Sequence, residues 1–228
     1  MTGFQSVIIQ RGFDSKPVAS RYFMGFCILL IGQVILFIGS ALVWQRIVDP
    51  QQFLPVLDRM VTAISILWLA WMWAYPLPNH AADTTNVILN LVLILFGGIS
   101  ISLWVPQMGA INFNHTPIDQ AWTIIYMLIL LAAIASLLSR RKGSWSIGLG
   151  FFLVLLGAAA IHLLWTDTTQ DYSAITRLAQ ICVYPLLPSL ARNLNLGQKS
   201  APSTLDQASA VSGAGALPLR KRLILDSD

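Results

Sequence analysis

The sequence predicts an all-α protein, a polytopic membrane helix bundle with six transmembrane helices. Three observations lead to this prediction. Apolar residues make up 56% of the 228 residues, and the mean hydropathy is +0.68. Charged residues make up only 11%, whereas soluble domains carry roughly 25%. The apolar residues are concentrated in long runs, and a soluble fold of this length could not bury so much apolar surface.

Each predicted span is an apolar run close to the roughly 20 residues that a helix needs to cross a bilayer. The second run is short and extends back toward Pro55. The sixth is the weakest, because it contains Arg177, Pro185 and Pro188. In chain order the predicted spans are 22–44, 61–75, 87–105, 121–139, 145–165 and 175–190.

These runs divide the chain into a cytoplasmic N-terminal segment 1–21, a six-helix transmembrane domain 22–196 and a flexible cytoplasmic tail 197–228. Beyond residue 196 the composition changes to Ser, Ala, Gly and Pro, which is typical of flexible linkers. The tail ends in a basic and apolar patch, 219–225, that is expected to bind anionic lipid. The first run is longer than the roughly 7–15 apolar residues of a cleaved signal peptide, so it is predicted to be a membrane span instead.

The placement of lysine and arginine predicts the orientation. With the N-terminus inside, the inner segments hold eleven basic residues and the outer segments hold two, while Arg177 lies inside the sixth span. Cytoplasmic segments carry such an excess. We therefore expect a multi-pass protein of the bacterial inner membrane with both termini cytoplasmic. The basic residues lie at membrane borders, which favours membrane lipids over nucleic acid as partners.

Motifs of common enzyme classes are absent from the sequence, so no catalytic residue, cofactor or metal ligand is predicted, and the chain is not expected to be an enzyme. His80, His115 and His162 fall at different predicted depths, which argues against a bis-histidine haem site. Cys27 and Cys182 lie inside apolar runs and are expected to pack as small apolar residues.

Several helix starts carry capping residues. Thr116 is predicted to cap the fourth helix, with Pro117 at its first position and Asp119 in its first turn. This interpretation is favoured over glycosylation of the sequon at Asn114. The other predicted caps are Asp83 or Thr84 for the third helix and Asp171 or Ser173 for the sixth.

The tryptophans fall into two groups. Trp68, Trp71 and Trp73 spread around the second span and are interpreted as bulk that faces lipid and the core, not as a binding box. The other group is placed at the membrane interfaces, which tryptophan prefers. Its members are Trp44, Trp104, Trp122 and Trp165 at the outer border and Trp145 at the inner border.

Arg177 is the residue that suggests a functional site, because an arginine within a span needs water or a carboxylate partner. It is expected either to pair with an outer aspartate or to reach the interface as an anchor. The candidate partners are Asp119, Asp167 and Asp171. If Arg177 pairs in this way, the outer face holds a polar cluster of Arg177, Asp119, Asp171, His162 and Gln180.

Glycines recur at seven-residue intervals in two spans. This spacing keeps them on one helix face, and small residues let membrane helices approach closely. We expect the two glycine stripes to pack against each other or within a homodimer. Their residues are Gly25, Gly32 and Gly39 in the first span and Gly150 and Gly157 in the fifth.

Over about residues 20–195 the chain resembles a known family through three segments in the same order. They are Trp68-Leu-Ala-Trp71-Met-Trp73-Ala-Tyr75-Pro76, Phe113-Asn114-His-Thr-Pro-Ile-Asp119-Gln-Ala-Trp122 and Arg177-Leu-Ala-Gln180-Ile-Cys-Val-Tyr184-Pro185-Leu-Leu. The chain resembles the N-terminal multi-span membrane region of bacterial multidomain sensor histidine kinases, in which GAF or PAS domains and a kinase core follow the last span. The resemblance implies a region that senses a signal at or in the membrane. The chain departs from the family where a GAF domain would begin, so kinase activity is not carried over.

The sequence therefore favours an integral membrane sensory or signal-relay module without catalytic activity. Its expected partner is a cytoplasmic signalling protein or another membrane protein. One alternative is a structural or assembly subunit of a larger membrane complex, which the glycine stripes would suit. The other is a small transport component, although spans one to three and four to six show no convincing inverted repeat.

Overall fold

The computed structural model describes residues 17–75, 79–114, 116–141, 145–165 and 171–187. All the regular secondary structure in these residues is helical. Short 3-10 helices, Val105–Gln107 and Tyr184–Leu186, extend the third and the last α-helix. The α-helices are α1 (Pro17–Trp44), α2 (Pro50–Ala74), α3 (His80–Trp104), α4 (Pro117–Arg140), α5 (Trp145–Leu164) and α6 (Ala174–Val183).

Helices α1 to α5 are long and apolar enough to cross a membrane. The predicted fold class, a polytopic helical membrane bundle, is confirmed, and the chain is a multi-pass membrane protein. α6 begins at the predicted start of the sixth span, and its continuation beyond residue 187 lies outside the described residues. The predicted tail, Asp167, His115 and most of the N-terminal segment also lie outside them.

Helices α1 to α4 all begin before their predicted apolar runs. α1 begins at Pro17, so that Arg21 is a helical residue. α2 begins at Pro50 because the carboxylate of Asp49 caps it and proline suits the first helical position. Asp58 and Arg59, which precede the predicted second span, therefore lie about two turns inside α2.

α2 is the central helix of the bundle. It packs against α1, α3 and α4, while α5 packs on α4 and α6 on α5. In its most apolar stretch 61% of the residues are buried, against 6% in α1 and 22% in α3. Trp68, Trp71 and Trp73 are all buried, so the prediction that part of this group faces lipid is wrong. A helix with neighbours on three sides has little face left for lipid.

Two of the predicted interface tryptophans are core residues. Trp104 and Trp122 are 0% and 1% exposed. The indole N–H of Trp104 donates to the backbone oxygen of Gln51 at 2.6 Å, and that of Trp122 donates to Oγ of Ser100 at 3.1 Å. Because a protein acceptor satisfies each N–H, neither ring needs the headgroup region. By contrast, Trp44 and Trp165 are exposed and lie at helix ends.

The capping predictions are confirmed for α4 and α6. Thr116 caps α4 and Ser173 caps α6, each through its hydroxyl oxygen. The prediction for α3 is wrong, because the helix begins earlier and its cap is Asn79 instead of Asp83 or Thr84.

The glycine stripe of α1 lies against α2. A side chain added at any of its glycines would meet an α2 residue, while the stripe of α5 has no described atom within 4 Å of such an added carbon. The expected contact between the two stripes is therefore wrong. In α5 the glycine that permits close packing is Gly148, which faces Trp73. The residues of α2 that an added side chain would meet are Met72 at Gly25, Val61 at Gly32 and Leu54 at Gly39. Beside Gly150 and Gly157 the space is open.

Short connections make successive helices run in opposite directions. We call the end that holds the α1–α2, α3–α4 and α5–α6 connections the three-connection end. The end that holds the α2–α3 and α4–α5 connections is the two-connection end. The polar residues of the bundle gather near these two ends, and the larger group lies near the three-connection end.

Candidate functional site

A buried network of charged residues begins at two neighbours in α2. Adjacent residues on a helix point about 100° apart, so Asp58 and Arg59 reach different helices. The Arg59 guanidinium donates from Nε to Oδ1 of Asp119 at 2.8 Å and from Nη2 to Oδ1 of Asn114 at 3.1 Å. Its Nη1 donates to Oδ2 of Asp58 at 3.3 Å. One arginine thus joins α2 to α4 and to the connection before α4.

Asp119 is the most deeply buried carboxylate of the network, with an exposed fraction of 1%. Thr116 fixes its backbone, because the Asp119 N–H donates to the capping oxygen at 3.2 Å. The second carboxylate oxygen lies 3.0 Å from Nε2 of His162, which is also buried. An ionised carboxylate only accepts hydrogen bonds, so Nε2 of His162 carries the proton in this contact. Burial of the charge is tolerated because both oxygens have partners.

Arg177 joins α6 to this network through Asp58. Its Nη2 donates to Oδ1 of Asp58 at 3.1 Å, and its guanidinium lies 4.6 Å from the ring centre of Tyr172. The expectation that Arg177 pairs with Asp119 or Asp171 is wrong, because Arg59 and His162 already occupy Asp119. The Arg177 side chain is 48% exposed, whereas that of Arg59 is 10% exposed. Arg177 therefore connects the buried network to the surface.

Asp171 has a separate role at the three-connection end. It accepts from the backbone N–H of Phe113 at 2.7 Å and from Nε2 of Gln51 at 3.1 Å. The neighbouring Tyr172 accepts at its backbone oxygen from Nδ2 of Asn114 at 3.0 Å. Burial raises the pKa of the Tyr172 phenol to about 12, although Arg177 opposes this shift. These contacts hold the connection before α6 against the connection before α4.

Two cavities adjoin the network. A small one of about 20 Å³ lies among α2, α4, α5 and α6, and a larger cleft of about 290 Å³ lies among α1, α2 and α6. Asp58, Thr62, Arg177 and Gln180 line both. The amide of Gln180 donates to Oγ1 of Thr62 at 3.4 Å.

A buried tyrosine lines the smaller cavity. Tyr126 lines it and is 6% exposed, and its phenolic oxygen has no hydrogen-bond partner among the described residues. A volume of about 10–15 Å³ holds one water, so this cavity has room for one.

The charges of the network balance one another. Two aspartates, Asp58 and Asp119, face two arginines, Arg59 and Arg177, and the sum is zero when His162 is neutral. The described residues contain no group of three potential metal ligands. The cleft side of the network presents one half-exposed guanidinium beside uncharged polar groups, namely Gln33, Ser40, Tyr172 and Gln180.

A second ion pair lies near the two-connection end. The guanidinium of Arg21 donates twice to Asp83, at 2.9 and 2.6 Å, and lies 4.1 Å from the ring centre of Trp71. The indole N–H of Trp71 donates to the same carboxylate at 3.0 Å. Arg21 was predicted to belong to the N-terminal segment, and it instead ties α1 to α2 and α3.

The structure thus brings four of the predicted cluster residues to one place and separates Asp171 from them. Sequence reasoning missed Asp58, Arg59, Thr62 and Tyr126. One signal was available: the Asp49-Pro50 pair is a helix start, and recognising it places Asp58 and Arg59 inside a span.

No protein-family model matches the chain, and neither a curated protein nor a solved structure matches it.

Proposed function

We propose that the chain is a membrane sensory or signal-relay module without catalytic activity of its own. The observation that carries the proposal is the ion pair between Arg177 of α6 and Asp58 of the central helix. It lies at an open polar cleft and joins the last described helix to the buried network. A contact of this kind is accessible to a stimulus and is coupled to the core.

A ligand with an anionic group would act by competing with Asp58 for Arg177. The polar ties from α6 to α2 are the Arg177–Asp58 pair at 3.1 Å and the Gln180–Thr62 hydrogen bond at 3.4 Å. Asp58 also contacts Arg59 at 3.3 Å, so release of Arg177 leaves the carboxylate with a partner. A ligand shifts an equilibrium only by its difference in affinity for the two states. For this ligand the difference in affinity would come from the ion pair between its anionic group and Arg177.

We further propose that the module lies in a bacterial inner membrane with both termini cytoplasmic. Arg140 and Arg141 at the C-terminus of α4 support this orientation, because they lie at the two-connection end, where the N-terminus also enters α1. α6 then leads toward the cytoplasmic side, where a signalling protein could read its position.

The test uses Cys182, an exposed residue of α6, as a site for a spin label. With Cys27→Ser removing the other described cysteine, label mobility is compared in purified protein carrying Arg177→Gln or Asp58→Asn. Both variants break the same pair, so we expect the same altered spectrum from both. Arg46→Gln is the matched control, since Arg46 is exposed in the α1–α2 connection. Unaltered spectra in both pair variants would overturn the proposal.

One observation favours the alternative of a structural or assembly subunit. Gly150 and Gly157 lie on an exposed face of α5 with open space beside them. Small residues on a lipid-facing surface let another membrane helix approach closely. Crosslinking in native membranes would separate the two functions, because an assembly subunit gives a stoichiometric product through α5 and a relay module does not require one.

A further inference from the structure

A groove lies between α3 and α4 on the side of the bundle away from the charged network. The two helices touch near the three-connection end, where Phe96 and Trp122 have ring centres 4.8 Å apart and Trp122 donates to Ser100. Toward the two-connection end they separate over α2 and leave a cavity of about 540 Å³. This volume lies within the roughly 300–1,000 Å³ of typical ligand sites.

The groove is long and mostly apolar. Its wall on α4 extends from Leu128 to Arg140, which is about 18 Å of helix. Alanines on all three helices create the space, among them Ala70 of α2, Ala82 of α3 and Ala132 of α4. Its shape and lining suit an extended hydrocarbon chain.

A cationic group lies at one end of this apolar groove. Arg140 is the last residue of α4, is exposed, and has its guanidinium 4.1 Å from the ring centre of Tyr75. None of the ion pairs formed by the described residues involves Arg140. At the end of a spanning helix it lies at the depth of lipid headgroups.

We propose that this groove binds one anionic phospholipid, with the lipid phosphate at Arg140 and an acyl chain along the floor formed by α2. Charge complementarity selects this occupant, because the apolar length ends at an exposed arginine at headgroup depth that forms no ion pair with another described residue. An apolar ligand without charge would leave the guanidinium unused. The inference does not rest on the proposed signalling function, since it concerns a different cavity near the opposite end of the bundle.

The test measures lipid retained by the purified full chain. Protein in mild detergent is titrated with phosphatidylglycerol or phosphatidylcholine, and bound lipid is counted by native mass spectrometry. We expect one phosphatidylglycerol to bind several-fold more tightly than phosphatidylcholine. Arg140→Gln should weaken phosphatidylglycerol binding about fivefold, the equivalent of about 1 kcal/mol for one basic residue at a lipid surface. Arg141→Gln is the matched control, because Arg141 carries the same charge and lies beside Trp145, outside the groove.

A second pair of variants tests the groove itself. Ala132→Phe fills it and should abolish retention of the selected lipid, whereas Ala135→Phe places the same ring on an exposed α4 position outside it. Melting temperatures of both variants establish that the bundle is intact. Equal affinity for the two lipids, equal losses from Arg140→Gln and Arg141→Gln, or unchanged retention in Ala132→Phe would each overturn the proposal.

Discussion

His162 and Asp119 are in contact across the core of the bundle, with Nε2 of the histidine 3.0 Å from Oδ2 of the aspartate. The contact joins the last turn of α5 to the first turn of α4. His162→Leu leaves that carboxylate oxygen without this donor, so we expect a loss of about 1–3 kcal/mol in unfolding free energy. His162→Gln retains an N–H donor and should lose less. Thermal unfolding in detergent measures both, and equal losses would contradict the expectation.

Removal of Arg59 should cost more than removal of His162. Arg59→Met leaves two buried carboxylates without their shared cation, and breaking a buried pair costs about 3–5 kcal/mol. Asp119→Asn in the same chain removes one of the stranded charges and should recover part of the loss. The measurement is chemical or thermal unfolding of the single and double variants. A double variant no more stable than Arg59→Met would show that the charge is not the cause.

The Arg177–Asp58 pair should appear as coupling in a double-mutant cycle. Because Arg177 is half exposed, the expected coupling energy in stability is about 1 kcal/mol or less. Arg177→Leu combined with Asp171→Asn should be additive, since Asp171 bonds to Phe113 and Gln51 instead. Coupling with Asp171 and additivity with Asp58 would reverse this assignment.

The two glycine stripes should respond differently to a larger side chain. Gly32→Leu drives a side chain into Val61 of α2, and overpacking of this kind costs about 1–3 kcal/mol. Gly150→Leu meets open space and should change monomer stability by about 0.5 kcal/mol or less. Melting temperatures at equal protein concentration test the difference. A large loss from Gly150→Leu would indicate that α5 contacts a second chain.

Topology is tested by reporter fusions at the two predicted cytoplasmic segments. Fusions after Lys142 and after Gln198 should both be active as cytoplasmic reporters, because basic residues concentrate in these segments. A fusion after Gly109, in the α3–α4 connection, should report the opposite side. A periplasmic signal at either of the first two sites would contradict the six-span arrangement.

The candidate site was only partly predictable. Arg177 was detectable because an arginine within an apolar run is unusual, and Thr116-Pro117 revealed the start of α4 and so the place of Asp119. Arg59 was missed because it precedes the apolar run of its helix and resembles a loop residue. Its position inside α2 depends on the cap at Asp49, which lies well upstream.

Sequence alone determined the class of this protein, the existence of five spanning helices and the sites of two helix caps. Hydrophobicity over about 20 residues decides insertion segment by segment, and a cap depends on neighbours within one turn. Only the tertiary structure decided which charges pair, since Asp58 meets Arg177 and Arg59 meets Asp119 across separations of 119 and 60 residues. Such pairing depends on which helix faces meet. The helices that pack around α2 are set by tertiary packing, which no local sequence pattern specifies.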